Sequence, residues 1–251
     1  MQLLSLGTNS FKDVFPQTLN LPAIRVLSFR QNENITGILP TTLGTLTNLQ
    51  NFDIFSCGLN GTIPTEVGNM VALQQFNAEV NFLSGQIPAE FSNLAQLQLL
   101  NVNFNTLNGT IPVELAFLLN LQLLDLGFNF LTSTIPKELG LFLGNLLALN
   151  LEVNFLSGPI PGGLVGLTNL RVLQLGRNAL TGPVPAQLGS LVQLQKLELR
   201  NNTLTGAIPL ELGNLVALTT LDLSINSITG KIPSVLSQLT VLCKLLDLYV
   251  I

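Results

Sequence analysis

The chain has 251 residues, a formal net charge of −4 and no histidine. Hydrophobic residues make up 47 % of it and charged residues only 10 %, whereas an ordinary soluble domain carries about 25 % charge. The acidic balance disfavours nucleic acid as a partner, and the lack of histidine removes His-based triads and most catalytic zinc sites. We therefore expect a protein that is not an enzyme and needs no cofactor or metal.

The possible membrane span, the N-terminus and the cysteines further limit the class of protein to which the chain can belong. The best candidate for a membrane span, residues 139–151, is shorter than the roughly 20 apolar residues needed and contains Asn145 and Asn150. Residues 1–5 lack the features of a signal peptide. Cys57 and Cys243 lie far apart in the chain, so we interpret them as two buried thiols and not as a disulfide or cysteine caps.

An internal repeat organises the whole chain. Prolines recur every 24 residues, with one spacing of 25 between Pro136 and Pro161; the set is Pro16, Pro40, Pro64, Pro88, Pro112, Pro136, Pro161, Pro185, Pro209 and Pro233. Extra residues lie in segments 32–35 and 139–144. We predict one solenoid over residues 1–251, with about ten 24-residue coils and a partial last coil.

In one well-formed unit, residues 170–185, the residue at each repeat position can be assigned a structural role. The residues predicted to point into the core are Leu170, Leu173, Leu175, Leu180 and Val184. The alternation around Leu173 predicts a short strand. Gly182 is expected to permit a tight bend and Pro185 to stop strand pairing, while the Leu-Gly-x-Leu segment that follows predicts a short helical turn.

An asparagine ends each predicted strand except the third, where Cys57 takes its place. The asparagine side chain can satisfy backbone groups of the turn. This Asn ladder numbers the coils from one to ten: Asn9, Asn32, Cys57, Asn81, Asn105, Asn129, Asn154, Asn178, Asn202 and Asn226. Stacked coils would bury a continuous core. Their strands would form a parallel sheet about 45–50 Å long on a concave face, and the short helical turns would line the convex face of an α/β solenoid.

The unit L-x-x-L-x-L-x-x-N-x-L-T-G-x-I-P-x-x-L-G-x-L resembles the plant-type leucine-rich repeat over essentially all of residues 1–251. The resemblance implies an ectodomain of a receptor-like kinase or receptor-like protein, or a secreted inhibitor of cell-wall polygalacturonases. Such proteins recognise peptides, proteins or polysaccharides on the concave face and its flank. The chain departs from the family in lacking a signal peptide, disulfide-bonded caps and kinase motifs, which favours a piece of a longer receptor over a cap-free cytosolic or microbial variant.

Two groups of outward residues on the predicted concave face are candidate ligand sites. From residue 31 to residue 136 there are seven acids and no Lys or Arg. The bases then gather in a basic patch, which we define as Arg171, Arg177, Lys196 and Arg200, and which suits an anionic ligand group. The alternative is a solvated face partly neutralised by Glu198.

The second candidate is an acidic and aromatic middle, formed by Asp53, Glu79, Phe104, Asp125, Phe128 and Glu152. We expect Phe104 and Phe128, before the ladder residue, to be exposed toward a ligand. For the Phe residues after it, Phe82, Phe130 and Phe155, we favour a packed spine. A glycosidase-like pairing of Asp125 with Glu152 is disfavoured.

Four sequons, at Asn34, Asn60, Asn108 and Asn201, permit glycosylation and an extracellular or cell-surface location of the full-length protein; a cytosolic location is the alternative. We expect recognition of a peptide, protein or polysaccharide ligand, with a co-receptor as a further partner. The alternatives are inhibition of a cell-wall polysaccharide hydrolase and binding to ice or to a polysaccharide surface.

Overall fold

The protein is described by a computed structural model that covers residues 1–242 and the backbone of Lys244 and Leu245. Cys243, one of the two predicted buried thiols, lies outside the described residues. In chain order the strands are β1 (Leu3–Ser5), β2 (Val26–Ser28), β3 (Asn32–Ile38), β4 (Asn51–Asp53), β5 (Cys57–Thr62), β6 (Gln75–Asn77), β7 (Phe82–Gly85), β8 (Leu99–Asn101), β9 (Thr106–Thr110), β10 (Leu123–Asp125), β11 (Phe130–Ser133), β12 (Ala148–Asn150), β13 (Phe155–Pro159), β14 (Val172–Gln174), β15 (Ala179–Pro183), β16 (Lys196–Glu198), β17 (Thr203–Gly206), β18 (Thr220–Asp222), β19 (Ser227–Ile228) and β20 (Lys244–Leu245).

The strands form two parallel sheets, whereas the repeat predicted one. Over the described residues, the concave sheet has eleven strands in the order β1-β2-β4-β6-β8-β10-β12-β14-β16-β18-β20. The flank sheet has nine strands, β3-β5-β7-β9-β11-β13-β15-β17-β19. A second strand after the ladder residue was not predicted: Ala179–Pro183 is strand β15, and Gly182, expected to permit a tight bend, has a φ of 76° and pairs with Leu204. Strand pairing stops before Pro185, as predicted.

Short helical turns on the convex side close coils 2 to 10: Thr41–Thr45, Thr65–Asn69, Ala89–Asn93, Val113–Phe117, α1 (Glu138–Phe142), Gly162–Gly166, Ala186–Ser190, Leu210–Asn214 and Ser234–Gln238. In the 3₁₀ turns the buried residues lie three apart, as Leu188 and Leu191 do, which matches three residues per turn. In α1 they lie four apart, at Leu139 and Leu143. The extra residue predicted in this coil is thus absorbed by a wider, α-helical turn.

The core runs between the sheets and the turns as one continuous cluster of buried side chains. All five residues predicted to point inward in the unit 170–185 are buried. The packed aromatic spine lies in the first coils, where Phe52 is 5.6 Å from Phe76 and Phe76 is 5.1 Å from Phe91, between ring centroids. The second predicted irregularity is also confirmed, as a register shift between Asn32 and Thr36 in β3.

Candidate functional site

The Asn ladder fixes the junction between the two sheets. In coil 5, Asn105 Nδ2 donates to the carbonyls of Ala78, Val102 and Asn103 at 2.9, 3.1 and 3.1 Å. Its Oδ1 accepts from the N–H of Leu83 at 2.9 Å, which belongs to the flank sheet of the previous coil. From Asn32 to Asn226, each ladder asparagine likewise satisfies four backbone groups and joins two coils, as the sequence predicted. Asn9 donates only to the carbonyls of Leu6 and Gly7 in its own coil.

The residue before each ladder position adopts a left-handed backbone. From coil 2 to coil 10 its φ lies between 50° and 56°, and the residues are Gln31, Ser56, Val80, Phe104, Phe128, Val153, Arg177, Asn201 and Ile225. This conformation is a property of the scaffold, since it recurs whatever the side chain. The residue type at this edge of the concave sheet is therefore free to vary from coil to coil.

The four residues of the predicted basic patch lie on adjacent coils, 8 and 9, among two carboxylates. Lys196 Nζ is 3.0 Å from Glu198 Oε1, and Arg177 Nε is 3.9 Å from Glu152 Oε1. Within residues 1–242, Arg171 and Arg200 form no salt bridge. The patch therefore keeps two unpaired cations.

Glu152 was assigned to the acidic middle, but it contacts the basic patch. Burial raises its pKa, Glu198 raises it further, and Arg177, Lys196 and Arg200 lower it. Gln174 Nε2 bridges Glu152 and Glu198 at 3.4 and 2.8 Å. Gln174 was predicted to point outward, but its contacts with the two carboxylates were not predicted.

The acids of the middle coils are spread along the concave sheet and held by amides. Asp53 Oδ1 accepts from Asn77 at 3.2 Å, Glu79 Oε2 accepts from Asn101 at 2.9 Å, and Asp125 Oδ1 accepts from Asn103 at 2.6 Å. The sequence did not identify these amides as partners of the acids. They occupy the positions that alternate with the inward leucines, which is the signal that could have found them.

Burial raises the pKa of Asp125, and the N–H of Gly127 and the amides of Asn150 and Asn103 oppose the rise by hydrogen bonding. Burial also raises the pKa of Glu79, which the amide of Asn101 opposes. Among the described residues, no group of three or more His, Cys, Asp and Glu side chains is placed to hold a metal ion.

The aromatic residues before the ladder are accessible, as predicted. Phe104 is 47 % exposed and Phe128 is half-buried, and their rings stack with centroids 4.0 Å apart at 14°. The packed spine predicted for Phe82, Phe130 and Phe155 was wrong, because these side chains are 63 %, 49 % and 60 % exposed. They point outward because the neighbouring residue in each flank strand, such as Leu83, points into the core.

We define the aromatic rim as Val80, Phe82, Phe104, Phe128, Phe130, Val153 and Phe155. Six of its residues line a groove of about 650 Å³ at the edge between the two sheets. The groove also contacts Glu33, Ser56, Cys57 and the ladder residues Asn81, Asn105 and Asn129. Glu33 is its single charged lining residue among the described part of the chain.

The four sequon asparagines, Asn34, Asn60, Asn108 and Asn201, are all exposed. Asn60 and Asn108 lie on the flank sheet, whereas Asn201 follows Arg200 on the edge of the concave sheet. None of the helices among the described residues is long and apolar enough to cross a membrane.

Comparison with protein-family models matches the leucine-rich-repeat models to residues 169–228 and, separately, to residues 48–70 and 120–142. No curated protein matches the chain significantly.

Among solved structures, the chain is similar to the ectodomain of the Arabidopsis thaliana membrane receptor kinase GASSHO1/SCHENGEN3, solved in complex with CASPARIAN STRIP INTEGRITY FACTOR 2. The TM-score is 0.84 at 33 % identity, over 96 % of this chain and 32 % of that one. A second similar structure is the plant peptide hormone receptor RGFR1 in complex with RGF2, with a TM-score of 0.82 and 33 % identity over 96 % and 42 % of the two chains.

A third similar structure is a plant ice-binding protein, with a TM-score of 0.80 and 26 % identity over 92 % of this chain and 74 % of that one. The chain thus spans between a third and about two fifths of the length of the two receptor structures, and about three quarters of the ice-binding protein.

Proposed function

We propose, on the premise that this chain is a leucine-rich-repeat protein of the plant type, that its concave sheet recognises a peptide or protein ligand through an anionic group. The observation that carries the proposal is the basic patch, in which Arg171 and Arg200 lack a salt-bridge partner among residues 1–242. A planar guanidinium binds a carboxylate or phosphate oxygen pair well. The similar receptors, whose structures contain RGF2 and CASPARIAN STRIP INTEGRITY FACTOR 2, support this ligand class.

The buried charges around the patch also favour an anion at this place. The Nε atom of Arg200 is buried and lacks a hydrogen-bond partner in the described chain, and a buried unpaired donor costs about 1–3 kcal/mol. A ligand anion over coils 8 and 9 would give this donor a partner. We place this activity outside the cell, since one similar structure is the ectodomain of a plant membrane receptor kinase.

A peptide selection tests the proposal. The chain is used to select binders from a random peptide library with free carboxyl termini, and the selected peptides are titrated against Arg171→Ala/Arg200→Ala. We expect a loss of affinity of roughly tenfold or more, since each charge-assisted hydrogen bond contributes about 1.5–3 kcal/mol. Arg25→Ala is the matched control, because Arg25 is an exposed arginine at the same repeat position in coil 2. Unchanged affinity in the double variant would contradict the proposal.

We propose adsorption to ice as a second candidate function, on the flank sheet. Strands β5 to β19 of this sheet contain no charged residue. One repeat position carries a small polar residue in seven consecutive coils: Asn60, Ser84, Asn108, Thr132, Ser157, Thr181 and Thr205. These residues are staggered between neighbouring strands, since Asn60 pairs with Phe82 and Asn108 with Phe130. The similarity to a plant ice-binding protein supports it. Thr132→Arg/Thr181→Arg should abolish inhibition of ice recrystallisation, while Arg171→Ala/Arg200→Ala should not. Absence of inhibition by the wild-type chain would contradict this proposal.

A further inference from the structure

The aromatic rim carries two energetic costs, which are the exposure of apolar side chains to water and a left-handed backbone at some of its residues. Val80 and Phe104 are 40 % and 47 % exposed, and both have the left-handed backbone, with φ of 56° and 51°. This conformation is disfavoured for side chains with a Cβ and most of all for β-branched ones. Phe128 and Val153, half-buried, share it at φ of 50° and 54°.

The scaffold itself does not require apolar residues at this position. Asn201 occupies it in coil 9 with φ of 54°, and Arg177 occupies it in coil 8 with φ of 53°. Asparagine tolerates the left-handed region far better than valine. Four consecutive coils, 4 to 7, therefore carry residues that suit neither the backbone nor contact with water. Ile225 in coil 10 carries the same two costs, at 60 % exposure and φ of 53°, but only coils 4 to 7 carry them in an unbroken run beside a groove, as a binding surface would.

The rings are arranged as a preformed surface. Phe104 and Phe128 stack at 4.0 Å and 14°, and Phe130 and Phe155 lie nearly parallel at 6.0 Å and 13°. Phe104 and Phe128 before the Asn ladder, and Phe82 and Phe130 after it, line the groove of about 650 Å³. The ladder asparagines are held by backbone hydrogen bonds, so the groove has a rigid floor.

The charges around the groove indicate what kind of ligand it can bind. Glu33 lines one end and Glu79 precedes Val80, while residues 31–136 include no Lys or Arg. Of the nearest bases, Arg30 is 3.9 Å from Asp53 and lies over the ring of Phe55, and Arg177 is 3.9 Å from Glu152. An apolar segment that carries cations matches this surface, whereas an acidic one does not.

We propose that the aromatic rim docks an extended segment of a partner protein that places aromatic or long aliphatic side chains in the groove and Lys or Arg side chains against Glu33 and Glu79. The inference rests on the proposed function, because it assigns a second ligand chemistry to the edge of the same recognition surface. It is separate in location, since the rim lies on coils 4 to 7 and the two unpaired arginines on coils 8 and 9.

The test uses a synthetic peptide of alternating Lys and Phe or Leu residues with acetylated and amidated ends, so that it offers no carboxylate to the basic patch. We expect micromolar binding by calorimetry, at least tenfold weaker binding when every Lys is replaced by Glu, and a similar loss when the apolar residues are replaced by Ser. No binding at about millimolar concentration, or equal binding of the acidic peptide, overturns the inference.

Variants separate a binding role from a structural one. Val80→Asn/Val153→Asn should raise Tm by about 2–4 °C, because asparagine is less strained than valine in the left-handed backbone. The same variant should bind the cationic peptide at least tenfold more weakly. Ile225→Asn changes the same repeat position outside the groove, so it should raise Tm and leave binding unchanged. Unchanged binding in the double valine variant overturns the inference. Arg171→Ala/Arg200→Ala should not affect this peptide, so failure of the rim and failure of the basic patch are distinguishable.

Discussion

The concave and flank sheets are built by the same repeat, yet they differ in what they present. The concave sheet has strands of two or three residues and carries acids in the middle coils and bases in coils 8 and 9. The strands of the flank sheet are longer, except for the two-residue β19, and those from β5 to β19 contain no charged residue. A repeat fixes the inward positions of both sheets and leaves only some outward positions free to differ.

The left-handed backbone positions explain this difference. In the flank sheet they are glycines except for Ser133 in β11, whose φ is 71°. At Gly61, for example, an added Cβ would lie 2.7 Å from Ile38 Cγ2. At the edge of the concave sheet they are non-glycine residues. Where coils approach closely only glycine fits, and where space is open the chain can vary its side chains and carry specificity.

The largest expected effect comes from breaking the connection between the sheets. Asn105→Leu removes the partners of three carbonyls and one N–H and should lower the free energy of unfolding by roughly 3 kcal/mol or more. Urea denaturation followed by circular dichroism measures it. Gln98→Ala, an exposed change in the same coil, should cost less than about 0.5 kcal/mol. An equal loss of unfolding free energy in the two variants would show that the ladder asparagine does not stabilise the junction between the sheets.

A smaller effect should follow from Gly182→Val in the flank sheet. The added Cβ meets only Pro159 Cβ, at 3.8 Å, so the cost arises from the backbone at φ +76° and should be about 1–2 kcal/mol. The neighbouring exposed Thr181→Val is the control in the same urea experiment, with an expected change below about 0.5 kcal/mol. A neutral Gly182→Val would mean that both sheets tolerate side chains equally.

Cys57→Asn should instead stabilise the fold, by about 1 kcal/mol. Cys57 Sγ makes one hydrogen bond shorter than 3.5 Å, to the carbonyl of Phe29 at 3.3 Å, where ladder asparagines make several. Burial raises the pKa of its thiol to about 11, so the residue stays neutral. Thermal unfolding with Cys57→Ala as the control measures the gain; a lower Tm for Cys57→Asn would indicate that the shifted register of β3 cannot accept the amide.

The smallest effect concerns pH and the concave sheet alone. The pKa of Asp125 is raised from 3.8 by burial, so its protonated form favours folding. Its contribution is present below the usual pKa and is lost as pH rises through the raised one. Asp125→Asn should therefore reduce the fall in Tm between about pH 4 and pH 7. Asp13→Asn, an exposed change, should leave the fall as it is, and an unaltered fall in Asp125→Asn would refute the assignment.

The sequence predicted those features that depend on contacts repeated in every coil. The inward leucines, the Asn ladder and the two extra residues each follow from packing or from unsatisfied backbone groups. The flank sheet was not predicted, because Gly182 and Pro183 usually interrupt strands, whereas here parallel pairing between identical coils tolerates both. Without that strand, the alternation that turns Leu83 inward and Phe82 outward could not be assigned.

Several residues of the candidate site were found from the sequence, but not their grouping. The outward positions identified the basic patch and the exposure of Phe104. The partners of Glu152 depend on side-chain conformations across three coils, which spacing does not define. The binding roles of these residues stay predictions.

The regular stacking of the coils also sets the distance between sites that lie on different coils. Phe104 in coil 5 and Arg200 in coil 9 are four steps apart, or about 19 Å at the strand spacing of parallel sheets. Removing residues 137–161 would join Pro136 to Gly162 in phase and shorten that interval by one step of about 4.8 Å. A ligand that contacts both the aromatic rim and the basic patch would then be selected by its length as well as by its charge.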